Sequence, residues 1–180
     1  MKQELFDVLD EDGRRTGETV TRDEAHAKGI YHRAVVLYLV NDKNQVLMQK
    51  RSKTLKVWPG CWDVTSAGHV DAGELSEDCA IRELYEELGI KVEPQDMRYI
   101  GAYRSNKIHG TIHDCHFNEF FVAHKDVDTK DIKLQLSEVE QIKWVNFADF
   151  KRLTQSRDSS LTSKWEAFDS LIRYMESRST

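Results

Sequence analysis

The chain has 180 residues and a mass of 20.9 kDa, enough for one domain with a sizeable core and too few for two ordinary ones. Lys and Arg number 26 against 31 Asp and Glu, a net charge of -5, with 32% charged residues and a mean hydropathy of -0.62. That balance carries no basic stripe of the kind that grips a nucleic-acid polymer, and no window approaches the ~18 uninterrupted apolar residues of a membrane span. Cys61, Cys79 and Cys115 form no CxxC pair and leave one over, so no disulfide framework is expected. Met1 to Leu9 alternates like a strand and shows no basic-then-apolar leader, so a cytoplasmic protein with a single domain over 1–180 is expected.

The first 30 residues predict a hairpin and a short helix. Glu4 to Leu9 turns at Asp10-Glu11-Asp12-Gly13 and returns through Val20. Thr21 with Glu24 has capping-box spacing, and Gly29 ends the helix they start. Tyr31 to Val40 is an apolar, β-branched run that predicts a buried strand; Asn41-Asp42-Lys43-Asn44 turns it into Gln45 to Arg51, with Val46, Met48 and Lys50 on one face. Trp62 to Ser66 predicts another short strand. The period becomes helical from Glu74 to Leu88, with Gly89 at the C-terminal cap. Arg98 to His109 and Ile112 to His124 read as paired strands around Gly110. Glu138 to Val145 is a further strand with a helix from Asn146. A final helix over about 161–176 repeats Trp165, Phe168, Ile172 and Met175 on one stripe, which predicts docking on the core. The whole reads as a mixed α/β sandwich.

The most informative stretch is Glu74 to Ile90, with six acids and one base, Arg82. At about 100° per residue, Glu83, Glu86 and Glu87 share one arc, with Ala80, Ile81, Leu84 and Leu88 roughly opposite. A solvated helix face usually intersperses lysines among its acids, and this one does not. Clustered carboxylate oxygens suit Mg²⁺ or Mn²⁺, although composition alone leaves a solvated acidic face open. The spacing is more specific. Gly68, five residues, Glu74, seven residues, then Arg82-Glu83-Leu84-Tyr85-Glu86-Glu87-Leu88-Gly89-Ile90 matches every defined position of the Nudix box over 68–90. The chain therefore resembles the Nudix superfamily. The resemblance implies an α/β/α sandwich with a mixed sheet, preceded here by the N-terminal β-hairpin. It implies divalent metal on Glu83, Glu86 and Glu87 with the Gly68 carbonyl, Glu74 and Arg82 in support, and a catalytic base that is one of those glutamates or an acid outside the box. Its ligand would be a small-molecule diphosphate, and many relatives are dimers, which keeps a homodimer open.

A narrower likeness extends over roughly residues 4 to 150. Gln49-Lys50-Arg51-Ser52, Trp58-Pro59-Gly60-Cys61-Trp62-Asp63, Ala67-Gly68-His69, His26 and His32-Arg33 resemble the branch containing type 1 isopentenyl-diphosphate isomerases. By that likeness His26, His32 and His69 would form a second metal site, joined by acids on a later strand, and Arg22, Arg51 and Lys56 would hold the diphosphate. The isomerase cysteine, however, falls at Ala67, and alanine is neither acid nor base. Its partner glutamate could be Glu119, but the other later-strand acid would fall at Phe117. The isomerases usually degrade the box, whereas here it is complete.

His113, Cys115, Phe117 and Glu119 share one strand face, on which Glu119 is a candidate base or ligand. Trp58 and Trp62 could stack on a substrate, although aromatics beside Pro-Gly more often pack. The expected function is hydrolysis of a diphosphate linked to another moiety by water attack at phosphorus, with Glu86, Glu87 and Glu119 as candidate catalytic carboxylates. The alternatives are an isomerase-like enzyme and a non-catalytic ligand-sensing domain.

Overall fold

The computed structural model describes residues 4–178. Met1 to Gln3, the start of the alternating run, lie outside those residues. Strand β1 (Leu5–Leu9) pairs antiparallel with β2 (Arg15–Thr21). Thr21 then caps α1 (Arg22–Lys28), its side-chain oxygen accepting from the Glu24 N–H, and Gly29 closes the helix in the left-handed conformation. Phe6, Val20 and Ala25 bury their side chains between these elements. The hairpin also braces the loop ahead of the acidic helix: Ala72 N donates to Leu5 O at 2.7 Å, and Gly73 N to Asp7 Oδ2 at 3.0 Å.

The main sheet contains β3 (His32–Val40), β4 (Gln45–Arg51), β5 (Trp62–Asp63), β6 (Ser66–His69), β7 (Met97–His109), β8 (Ile112–His124) and β9 (Val139–Asn146). Its order is β5-β4-β3-β8-β7, with β6 also on β3 and β9 on β4. The sheet is mixed, because β3 and β8 are parallel and the other pairs antiparallel. β3 and β4 share one paired position, Val40 with Val46. Beyond it they diverge, and β6 takes the place beside β3.

Helix α2 (Ser76–Leu88) covers the face carrying Val35, Leu37 and Leu39. Helices α3 (Phe147–Gln155) and α4 (Trp165–Ser177) cover the face carrying Val36, Tyr38 and Val40. Each fully buried large side chain in these layers contributes on the order of 1.5–3 kcal/mol. The stripe expected on the last helix does dock: Phe168, Ile172 and Met175 are buried. Among the described residues, no helix is long and apolar enough to cross a membrane.

Three boundaries differ from the sequence expectation by two residues or more, two of them because side chains capture backbone groups and the third because the chain bridges a strand. Trp62 to Ser66 splits into β5 and β6: Asp63 Oδ1 accepts the Val64 N–H, and Thr65 Oγ1 accepts the Leu39 N–H. α2 begins at Ser76 instead of Glu74, whose carboxylate turns back to accept the Asp71 N–H. The last helix begins at Trp165, since Leu161 lies extended and bridges Trp62.

Candidate functional site

Arg82 organises the acidic helix. Its Nε and Nη2 donate to both oxygens of Glu74, at 2.9 and 3.0 Å, and Nη1 donates to Glu83 Oε1 at 2.7 Å and Glu86 Oε2 at 3.2 Å. Nη2 also reaches the His69 carbonyl at 3.2 Å, which ties α2 to the end of β6. A guanidinium with five fixed donors can serve this many acceptors and an ammonium cannot. Burial alone would raise the Glu74 carboxyl, but the Arg82 hydrogen bonds outweigh it and hold Glu74 below the usual range.

Gly68 makes room for Glu83. A Cβ at Gly68 would stand 2.1 Å from Glu83 Cδ and 2.3 Å from Oε1, so only glycine lets that carboxyl lie against β6. Glu86 is half exposed, whereas Glu87 is 7% exposed and accepts from Gln49 Nε2 at 3.1 Å. Burial pushes Glu83 up to about 7 and Glu87 up to about 8, and each also raises the other or is raised by a neighbouring carboxylate. The helix arc read from sequence is therefore graded: one carboxylate in the core, one at its edge and one toward solvent.

These glutamates line a cleft of about 940 Å³ along the divergence of β3 and β4. Arg22, Arg51 and Lys56 line the same cleft, as do Gly68, His69 and Ala67. No cysteine is among its lining residues. Arg22 pairs with Glu4 at 2.7 Å, and Arg51 Nε donates to the Val57 carbonyl at 3.1 Å. Trp58 stands at the cleft lip with φ of 52°, edge-on to His109 at 5.8 Å. Trp62 instead packs against the core, with Lys143 Nζ 3.8 Å from its ring centroid.

His26, His32 and His69 come together, and a fourth imidazole joins them. Ligand atoms of His26, His32, His69 and His116 all lie within 4.8 Å of one another. His69 Nε2 and His116 Nε2 are 3.3 Å apart, and the Nε2 atoms of His26 and His32 are buried without a hydrogen-bond partner. Phe6 stacks on His32 and His69, with centroids at 4.7 and 5.0 Å. Burial pushes His32 down to about 4 and holds His69 and His116 well below the usual histidine range, so these rings are neutral. Neutral imidazoles with unengaged nitrogens are metal ligands by chemistry.

His116 was not singled out by sequence because the pairing that delivers it is long-range: His32 sits opposite His116 in the parallel β3–β8 ladder. The same register corrects the later-strand acids. The cleft face of β8 bears His116, Asn118 and Phe120, whereas Phe117 and Glu119 occupy the other face. Glu119 is not among the residues that line the cleft; its Oε1 pairs with Arg33 Nε at 3.3 Å. Sequence also passed over Asp63, Lys107 and Lys164, all of which line the cleft.

The NUDIX domain family model matches residues 30–165. Nudix hydrolase 3 of Arabidopsis thaliana is 34% identical over 163 residues, 88% of this chain but 21% of that protein, so this chain spans about a fifth of its length. An uncharacterized Nudix hydrolase of Listeria monocytogenes is 33% identical over 153 residues, covering 85% of this chain and 86% of that one. An isopentenyl-diphosphate Delta-isomerase of Cutibacterium acnes is 31% identical over 164 residues, covering 88% and 81%. Among solved structures, DR0079 from Deinococcus radiodurans superposes with a TM-score of 0.71 at 19% identity, covering 97% of this chain and 98% of that one, a likeness of fold. With the family model over most of the chain and relatives above 30% identity along nearly all of it, the chain belongs to the Nudix hydrolase family.

Proposed function

We propose that this protein hydrolyses a small-molecule diphosphate linked to another moiety, with Mg²⁺ or Mn²⁺ held by Glu83, Glu86, Glu87 and the Gly68 carbonyl. The observation that carries this reading is the gathering of the three α2 carboxylates on the cleft, two of them mostly buried and raised toward neutral by that burial. A divalent cation offsets that accumulated negative charge, and an all-oxygen donor set fits these two ions. When bound, the cation neutralises diphosphate oxygens and acidifies water. Arg22, Arg51 and Lys56 hold the diphosphate by charge-assisted hydrogen bonds. Water attacks one phosphorus, Glu86 or Glu87 takes its proton, and the anhydride P–O bond breaks toward the leaving phosphate. Arg82 and Glu74 keep Glu83 and Glu86 in register.

The test is release of phosphate or pyrophosphate across nucleoside triphosphates, ADP-ribose, NADH, diadenosine polyphosphates, CoA and isopentenyl diphosphate, with Mg²⁺, Mn²⁺ or EDTA. Metal-dependent turnover of one class is expected. Glu87→Gln should keep the fold and lower that turnover by orders of magnitude; an unchanged rate removes the assignment.

We propose a second metal site on His26, His32 and His69, completed by His116. Four clustered imidazoles suit a borderline transition ion of the Zn²⁺ class better than Mg²⁺. This cluster, with the likeness to isomerases, favours isomerisation of an isoprenoid diphosphate as the second reading. Ala67 on the cleft weighs against it, since proton exchange on two faces of a double bond needs an acid/base group on each. Deuterium incorporation from D₂O into the allylic product decides between the two.

A further inference from the structure

Asp63 is completely buried, and its carboxylate is fully engaged. Oδ1 accepts from the Val64 N–H at 2.8 Å and from Thr162 Oγ1 at 2.9 Å. Oδ2 accepts from Lys164 Nζ at 2.8 Å and lies 3.5 Å from Arg51 Nη1. A buried carboxylate needs its charge compensated, and one cation with two further hydrogen bonds suffices. Here two cations converge on it, so the group carries one surplus positive charge. Both cations line the cleft that holds the α2 glutamates, and each side chain keeps part of its surface open: 32% for Lys164 and 22% for Arg51.

The lysine is also fixed in place. Residues 160–164 are strapped to β5: Trp62 N donates to Ser160 O at 2.7 Å, and Thr162 N donates to Trp62 O at 2.9 Å. Leu161 and Thr162 are buried, so the backbone that carries Lys164 belongs to the sheet edge and not to a free loop. The ammonium spends one of its three donors on Asp63. Lys164 lines the same cleft as Glu87 and His116.

We infer that Lys164 and Arg51, drawn together by the buried Asp63 carboxylate, form an anion subsite that takes one phosphoryl group of an organic diphosphate. The segment ahead of α4 thereby supplies a substrate-binding side chain, and Asp63 is the positioning residue that aligns the pair. This rests on the hydrolase reading only for the identity of its ligand.

The probe is inorganic pyrophosphate, titrated calorimetrically into the full chain in EDTA, so that binding is read without metal and without turnover. Wild type binds it; Lys164→Met weakens binding about tenfold or more, the scale of one lost charge-assisted contact. Lys164→Met removes the nearer of the two cations on Asp63 and leaves Arg51 at 3.5 Å, which can destabilise the fold, so the Lys164→Met/Asp63→Asn double variant, which also removes the buried charge, accompanies it and is expected to fold and still bind weakly. Lys164→Arg restores affinity to within a few fold, and Lys151→Ala, on the outer surface of α3, matches wild type. Wild-type affinity in the folded double variant overturns the subsite, as does failure of wild type to bind pyrophosphate. Lys164-dependent binding with no turnover of any diphosphate would keep the subsite and sink the hydrolase reading alone.

Discussion

Replacing Gly68 by alanine separates the cost of misplacing Glu83 from the cost of unfolding. The added Cβ would meet Glu83 Cδ at 2.1 Å where ordinary contact begins near 3.4 Å, so the carboxyl must retreat by more than about 1 Å. Gly68 is not among the glycines with positive φ, so its backbone accepts alanine without strain. The clashing atoms are the end of a flexible side chain, which can swing away. The stability loss should stay under about 1 kcal/mol, partly offset by the conformational freedom alanine removes from the unfolded chain. Displacing a catalytic group by about 1 Å is worth roughly 10²-fold in rate. Gly68→Ala is therefore expected to melt close to wild type and to lose about two orders of magnitude in metal-dependent kcat/KM. Thermal unfolding and steady-state kinetics on the same preparation check both halves. A fully active variant would refute the idea that Glu83 must lie against β6, and a variant that fails to fold would refute the claim that the clash is local.

Arg82→Lys should not rescue the loss seen in Arg82→Ala. One ammonium cannot span both Glu74 oxygens, Glu83, Glu86 and the His69 carbonyl, so turnover falls at least about tenfold in both, with a stability change near 1 kcal/mol because the ion pairs are partly screened by solvent. Wild-type kinetics in the lysine variant would show that the fork geometry is unimportant. Adding Zn²⁺ to chelator-stripped protein at about a hundred times its Kd should raise Tm by roughly 5–10 °C. That rise should vanish in the His26→Gln/His116→Asn double variant and persist in Glu87→Gln. An equal rise with Mg²⁺, or an unaltered one in the histidine variant, counts against the four-imidazole site. Glu119→Gln should leave kcat within about threefold of wild type, since Glu119 pairs with Arg33 on the face of β8 turned from the cleft; a loss of 10²-fold would return it to the reaction.

Local sequence carries local structure here. The hairpin, the Thr21 and Gly29 caps of α1, the Gly89 cap of α2 and the apolar stripe of α4 follow from propensity and periodicity within a few residues of each other. The proposed metal-binding set is equally local: Glu83, Glu86 and Glu87 sit on one turn of helix, and Arg82 and Gly68 lie within the same 23-residue stretch. Where side chains compete for the backbone, as at Asp63, Thr65 and Glu74, the element boundaries moved.

What periodicity cannot specify is which strand lies beside which, and at what register. Alternation along β8 groups His116 with Asn118 and Phe117 with Glu119, but only the parallel pairing of His32 with His116 decides which group meets the cleft. A slip of one residue would exchange the two sets. Similarly, Lys164 reads as one more surface lysine ahead of an amphipathic helix until the Trp62–Leu161 bridge sets it against Asp63. The acidic helix was determined by the sequence alone, because its carboxylates are neighbours along the chain. The histidine cluster and the Asp63-centred cations were decided by tertiary structure, because their members meet only through long-range strand pairing and through a carboxylate whose burial no sequence pattern reveals.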